Sequence, residues 1–287
     1  MAAPLPSPGR LTAPPAWALA RVPGLAGGER PLAFARLAGG SVNEVFRIDS
    51  RLGSFVLRLN GAAWRRPGVD RVRELALHRA AASAGVAPPI VDADPAADGL
   101  LITAWQQGRL WCAADYEDLA ALHRLGERLQ VLHALAAPDV PAFDPWSIAQ
   151  QYLQQIEALD RARPPPAPLA RLERSCEALR RNPVPACIAH GDLAETNLLD
   201  GERLWLLDWE YAQRSDALMD IACVLAYYPG AQRHAAELTA AAGMQFGAVN
   251  EGLAPRIHVY QALSWLWHLA RGESAQGTGI PAIRPAN

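Results

Sequence analysis

Apolar and polar positions change period along the chain, and the changes divide it into two parts. Phe34–Leu37, Val42–Ile48 and Ser54–Asn60 are short β-type runs separated by Gly39-Gly40-Ser41 and Arg51-Leu52-Gly53, a spacing that predicts a meander of hairpins. Val69–Ala84 then carries Val72, Leu75, Leu77 and Ala80 at helical spacing and stops at Gly85. Ile90–Ala93 and Leu100–Ala104 return to strand around an Asp/Pro/Gly turn. From Asp115 onward the period is helical. Leu119–Leu135 places Leu119, Leu122, Leu125, Leu129 and Leu132 on one face, and Ser147–Leu159 and Leu169–Arg181 follow on either side of the Pro-rich break Arg161–Pro168. Leu198–Leu199 and Leu204–Leu207 read as two short strands joined by Asp200-Gly201-Glu202, before the helices Ala217–Tyr228, Ala231–Ala242 and Pro255–Ala270. The expected fold is therefore α+β with two lobes: an antiparallel five-stranded sheet interrupted by one helix, then a mostly helical half. Residues 1–30 read as a tail with a short helix around Ala16–Val22, 31–105 as the first lobe, 106–275 as the second, and 276–287 as a closing tail.

Composition narrows the class. The 287 residues are 51% hydrophobic and 20% charged, as in a folded globular chain. All 27 basic residues are Arg, so any role that ordinarily falls to lysine must fall here to a planar, always charged guanidinium. The net charge of −2 conceals an asymmetry, with 12 Arg against 8 acids in residues 1–108 and 15 against 21 in the remainder. A basic half beside an acidic half suits a protein that grips a polyanion on one side and a cation on the other. No basic tract interleaved with aromatics points to nucleic acid, and no run reaches the roughly 18–20 apolar residues of a membrane span. Cys112, Cys176, Cys187 and Cys223 are widely spaced, as expected of reduced thiols in a cytoplasmic protein. The proline-broken N-terminus lacks the apolar core of a signal peptide.

The chemistry concentrates between Ile188 and Tyr211. An apolar strand end delivers His190-Gly191-Asp192, Asn197 follows five residues after the Asp, and a hairpin returns a strand that ends on Asp208. Phosphoryl transfer needs a carboxylate to orient or deprotonate the attacking hydroxyl and hard oxygen ligands for Mg²⁺ beside it. A hairpin whose ends converge Asp192, Asn197 and Asp208 supplies both.

The segment resembles the HxDxxxxN motif and following metal-binding Asp of the aminoglycoside phosphotransferase and choline kinase superfamily, distant relatives of protein kinases. Leu206-Leu-Asp-Trp-Glu-Tyr-Ala, with Asp220-Ile-Ala after it, looks closest to the choline/ethanolamine kinase and bacterial thiamine kinase branches. The resemblance runs over roughly residues 33–270. It implies a two-lobe kinase that uses ATP and Mg²⁺, with Asp192 as catalytic base, Asn197 and Asp208 as metal ligands, and His190 bracing the loop. It also implies that Gly39, Gly40, Ser41 and Asn43 form a phosphate loop, with backbone N–H groups close to phosphate oxygens. Arg58 stands where many relatives carry Lys, with Glu74 on the following helix as its ion-pair partner. The adenine pocket would lie at the lobe connection, near Thr103 and Trp105. Asp220 would hydrogen-bond the catalytic-loop backbone. Glu210 is open between a second Mg²⁺, a cationic substrate and a solvated loop.

The acceptor is read from aromatics late in the chain. Tyr211, Tyr260, Trp265 and Trp267 would hold a fixed positive charge by cation–π attraction, or would simply pack a helix. A small cationic alcohol, thiamine- or choline-like, is the expected partner. A sugar or aminoglycoside acceptor and a catalytically silent nucleotide-binding module are the competing readings, and oligomeric state is not legible.

Overall fold

The computed structural model describes residues 13–37, 43–61, 66–95 and 99–272, with backbone alone at 246–251. The phosphate-loop residues Gly39, Gly40 and Ser41 and the terminal tails, 1–12 and 273–287, lie outside the described residues. A short helix α1, Ala16–Leu19, precedes strands β1 (Ala33–Arg36), β2 (Asn43–Ser50) and β3 (Gly53–Asn60). Helix α2 (Arg71–Ser83) starts at Asp70, whose carboxylate accepts from the amides of Val72 and Arg73 and so satisfies two of the first-turn donors. Strands β4 (Ile90–Asp94) and β5 (Leu100–Ala104) complete the expected antiparallel five-stranded sheet, in which β5 lies between β3 and β4 in the order β1-β2-β3-β5-β4.

Strand period 2 sends Phe46, Ile48, Leu57 and Ile102 to one core face of this sheet. Ala18, Val22 and Leu25 pack into the same core, and Arg21 binds Asp92 of β4 through two 2.7 Å hydrogen bonds. The segment around α1 is thus part of the sheet lobe, although its prolines read as a tail.

The second lobe begins with β6 (Arg109–Leu110) and α3 (Leu119–His133), followed by α4 (Pro145–Ala158) and α5 (Pro166–Arg181). Proline opens both α4 and α5, where its missing N–H has no helical partner to lose. The Pro-rich break expected over Arg161–Pro168 therefore ends earlier, and α5 begins at Pro166 rather than Leu169. Strand β7 (Ala186–Ala189) enters the catalytic loop, β8 (Leu198–Asp200) and β9 (Leu204–Leu206) form the hairpin, and β10 (Gln213–Asp216) returns antiparallel to β7. Helices α6 (Leu218–Tyr227), α7 (Ala235–Ala241) and α8 (Phe246–Arg271) close the lobe. α8 starts before Pro255 and runs through it, so the predicted start at Pro255 is corrected. α3 is buried along Leu122, Leu125, Leu129 and Leu132 against the shared helical core. None of the described helices is long and apolar enough to cross a membrane.

Candidate active site

A cleft of about 1050 Å³ runs between the lobes. Leu37, Val45, Val56, Thr103 and Trp105 line its sheet side, and Asp192, Asn197, Leu207 and Asp208 its floor. β7 and β8 place the catalytic loop by fixing both its ends, while the αL backbone of Asp208 (φ 55°) turns the chain sharply after β9. Gly191 has φ 77°, and a Cβ there would stand 2.6 Å from the Tyr211 carbonyl oxygen, so both conformation and close approach call for glycine.

The loop is held from behind by groups donating to, and accepting from, its backbone. The buried Asp220 carboxylate on α6 accepts from the amides of His190 (3.0 Å) and Gly191 (2.9 Å), and its Oδ2 lies 2.9 Å from His133 Nε2. Those bonds, led by His133, hold its pKa below the usual carboxylate range despite burial. Tyr116 donates to the Leu193 carbonyl at 2.6 Å, and Tyr228 accepts from the Glu195 amide at 3.0 Å. These two rings stack with centroids 3.5 Å apart. His190 Nε2 sits 2.9 Å from the Leu207 carbonyl and its Nδ1 accepts from the Asp192 amide at 3.3 Å, a pattern that requires the neutral ring. Burial lowers its pKa accordingly. His190 also meets the Trp209 ring edge-to-face at 4.8 Å, so it touches the frame rather than the cleft.

Asn197 donates through Nδ2 to Asp192 Oδ2 (2.9 Å) and to the Asp192 carbonyl (3.0 Å). Its Oδ1 accepts from the Thr196 hydroxyl at 3.4 Å and keeps a second lone pair for a cation. Desolvation, then the Glu210 carboxylate, push Asp192 up to about 6. Asp208, whose side chain is 36% exposed at the cleft, is pushed up from the usual carboxylate range by partial desolvation and by the same Glu210 charge. Two carboxylates whose ionised forms are disfavoured by low solvation and by negative neighbours are a receptive environment for a divalent ion. The donor set is all oxygen and few in number, as Mg²⁺ prefers when substrate phosphates supply its remaining ligands. Among the described residues no group of three or more His, Cys, Asp or Glu forms a ready-made metal cage.

Across the cleft, Arg58 on β3 lies 2.6 Å from Glu74 on α2 and 3.4 Å from Asp208. Register carries it there, since Leu57 and Leu59 take the core face and Arg58 the other. Glu74 also binds Arg71 at 2.7 Å, Arg71 binds Glu210 at 3.1 Å, and Glu210 binds Arg66 at 2.6 Å. The result is an unbroken line of alternating charge, Asp208–Arg58–Glu74–Arg71–Glu210–Arg66. Asn43 braces it by donating to Glu210 (3.1 Å) and accepting from Arg71 (3.0 Å).

Glu210 is therefore 6% exposed and engaged by two arginines, rather than a solvated loop acid. Arg66 and Arg71 were not singled out in the sequence. The Arg71-x-x-Glu74 spacing, one helical turn apart, was the available signal for part of the line. Tyr116, Tyr228 and Asn43's link to Glu210 carry no local signal, because their partners lie 77, 33 and 167 residues away.

Aromatic side chains of the second lobe also wall the cleft, namely Phe143, Tyr152, Tyr211, Tyr227, Tyr260 and Trp267. Trp265 is corrected: it packs partly buried on the helical core and does not line the cleft. On α8 the cleft face is set by Tyr260, Leu263, Ser264, Trp267 and His268, a helical stripe from which position 265 is rotated away.

A family model described as the phosphotransferase enzyme family (APH) matches residues 33–255. The chain belongs to that phosphotransferase family. The structure of a choline/ethanolamine kinase family protein from Mesorhizobium loti is similar at 28% identity and a TM-score of 0.72, over 89% of this chain and 85% of that one. The choline kinase LicA from Streptococcus pneumoniae aligns at 16% identity and TM-score 0.72, over 88% of this chain and 89% of that one. A thermostable mutant of the aminoglycoside phosphotransferase APH(4)-Ia aligns at 18% identity and TM-score 0.63, over 86% and 91% of the two chains. These last two likenesses establish the two-lobe kinase-like fold. No curated protein sequence matches this phosphotransferase.

Proposed function

We propose that this phosphotransferase moves the γ-phosphoryl group of ATP, with Mg²⁺, onto a hydroxyl of a small cationic molecule of thiamine or choline type. The observation that carries the reading is the meeting of Asp192, Asn197 and Asp208 on one cleft floor, opposite the Arg58–Glu74 pair. In this reading Asp192 accepts the proton of the attacking hydroxyl, whose oxygen forms the new bond to phosphorus. The bond from phosphorus to the β,γ-bridging oxygen breaks, and its electron pair leaves on ADP. A carboxylate held near pKa 6 is matched to that proton transfer around neutral pH. Asn197 Oδ1 and Asp208 would hold Mg²⁺, which supplies charge neutralisation on the phosphates. Arg58 grips the nucleotide phosphates, oriented by Glu74, and the fork geometry of guanidinium suits a phosphate bidentately. The base stacks among Val45, Val56, Thr103 and Trp105.

Six aromatic side chains on the acceptor wall favour a cation held by ring faces. An aminoglycoside, with several primary amines, would call for free carboxylates, and Glu210 is already engaged by Arg66 and Arg71. The free thiols Cys112, Cys176, Cys187 and Cys223 suit a cytoplasmic enzyme.

Purified protein with Mg-ATP, offered thiamine, choline, ethanolamine, aminosugars and aminoglycosides, should release ADP with one cationic alcohol far above background. Asp192→Asn should lower that rate by about 10³-fold or more, the scale of losing a general base and its orienting hydrogen bond. Nucleotide affinity should stay within a few-fold. Turnover retained in Asp192→Asn would remove the assignment of the base.

A further inference from the structure

The line of alternating charge has two ends, and both reach the cleft. Its interior members Glu74, Arg71 and Glu210 are 2%, 4% and 6% exposed, and each has an opposite charge on either side. Arg58 is likewise flanked, by Asp208 and Glu74. The end members are flanked on one side only. Asp208 is the anionic end, and a metal ion completes it in the proposed reaction. Arg66 is the cationic end. Among the described residues its guanidinium donates only through Nη2, to Glu210, while its fully buried Nε–H has no acceptor. Arg66 lines the cleft together with Asp192, Asp208 and Tyr211, whose ring centroid lies 5.9 Å from its guanidinium carbon. Its charge also reaches Asp192, where it opposes the upward push of burial.

We propose that Arg66 is a catalytic residue that contacts the phosphoryl group in flight, on the acceptor side of the cleft. The inference rests on the phosphotransfer reading above and names a residue which that reading does not need. A guanidinium that lines the cleft and spends one terminal nitrogen on Glu210 keeps N–H donors that a ligand oxygen can take up. A phosphoryl group passing from ATP to the acceptor above Asp192 spreads negative charge over its three equatorial oxygens, and a fixed guanidinium stabilises that charge more than the ground state. Arg66 forms no bond in the step and exchanges no proton.

Glu210 then has a defined part. Arg71 and Asn43 both donate to its Oε2, which leaves Oε1 to Arg66. The Glu210 carboxylate thereby holds the fork of Arg66, which comes from the loop between β3 and α2, at the cleft wall. The line thus ties the metal end of the site to the phosphoryl end through buried side chains of both lobes, Arg58, Glu74 and Arg71 from the sheet lobe and Glu210 from the second.

The test uses Mg·ADP with and without fluoroaluminate, a planar mimic of the transferring phosphoryl group that needs no knowledge of the acceptor. Wild-type protein should bind Mg·ADP about 100-fold more tightly in the presence of fluoroaluminate, by calorimetry. Arg66→Ala should lose most of that enhancement, about 30-fold or more, while its affinity for Mg·ADP alone stays within about twofold. Arg66→Lys should recover part of it. Full enhancement in Arg66→Ala would overturn the proposal. So would an equal loss of ADP affinity, which marks a structural role, or an unchanged enhancement with only the acceptor KM raised, which marks a counter-ion for an anionic acceptor. A wild-type protein that binds Mg·ADP with no enhancement would overturn the phosphotransfer reading itself and the inference with it, and is told apart because the failure precedes any substitution.

Discussion

Two walls of the same cleft are built by different kinds of contact. From His190 to Asn197 the catalytic loop is held by hydrogen bonds to named atoms, from Asp220, Tyr116, Tyr228, Cys223 and its own Asn197. Elsewhere in the cleft, Tyr227, Tyr260, Leu263 and Trp267 present rings and aliphatic carbon. Hydrogen bonds are directional and fail over a few tenths of an ångström, whereas apolar contact depends on area and shape. The first wall fixes where a proton and a metal must be. The second fixes only the outline of what fits, and can be recut for another acceptor without disturbing the chemistry.

The strongest way to break this contrast is at Asp220. Asp220→Asn is nearly isosteric, yet it sets an amide where the carboxylate accepts from two backbone amides and meets His133. Leaving one or more buried donors unmatched should cost about 2–4 kcal/mol of stability and about 100-fold in kcat, with the acceptor KM within threefold. Denaturant titration and steady-state kinetics read the two. A variant with normal kcat would show that the loop holds its own geometry and that the contrast drawn from hydrogen bonds is wrong.

What could be read in the sequence follows the same division. The sheet, its order of hairpins and the helical half were legible because period 2 and period 3.6 are local signals. His190, Asp192, Asn197 and Asp208 were legible because a hairpin brings residues close in sequence to one point. Strand β10 was not: Gln213-Arg214-Ser215-Asp216 is polar and short, and it is a strand only because β7 lies beside it. Arg66 was not either, because its partner Glu210 is 144 residues away. Trp265 and Trp267 look equivalent in the chain, and only the rotation of α8 against the core separates them. Long-range pairing and helix phase are properties of the packed molecule.

Acid should sharpen the comparison from the loop side. His78 on α2 is 4% exposed, with Nε2 3.0 Å from the Pro88 carbonyl and its ring stacked 5.8 Å from Trp209, which in turn packs on His190. Burial lowers its pKa to about 4 from an ordinary 6.5. Below pH 6.5 the unfolded chain therefore takes up a proton that the folded chain refuses. The stability tied to neutral His78 is complete above about pH 6.5 and is lost progressively as pH falls toward 4, by about 2–3 kcal/mol. His78→Gln, which keeps a donor for Pro88, should be less stable than wild type at pH 7.5 by about 1 kcal/mol and flatter between pH 6.5 and 4.5 in urea titrations. A parallel pH slope in the two proteins would relieve His78 of this role.

The smallest effect tests the apolar wall. Trp267 lines the cleft and carries the Arg271 guanidinium over its ring at 4.6 Å. A cationic acceptor held there gains about 1–2 kcal/mol from a desolvated ring, so Trp267→Ala should raise the acceptor KM about tenfold. Its kcat should stay within threefold, because no hydrogen bond of the catalytic loop passes through it. Trp265→Ala, two residues away, removes partly buried packing from the helical core. It should lower stability by about 2 kcal/mol and leave KM unchanged. Two tryptophans of one helix would thus separate along the line between substrate contact and packing. If instead Trp267→Ala depresses kcat as strongly as it raises KM, the aromatic wall takes part in positioning the reacting hydroxyl. The two walls would then act on the reaction as one.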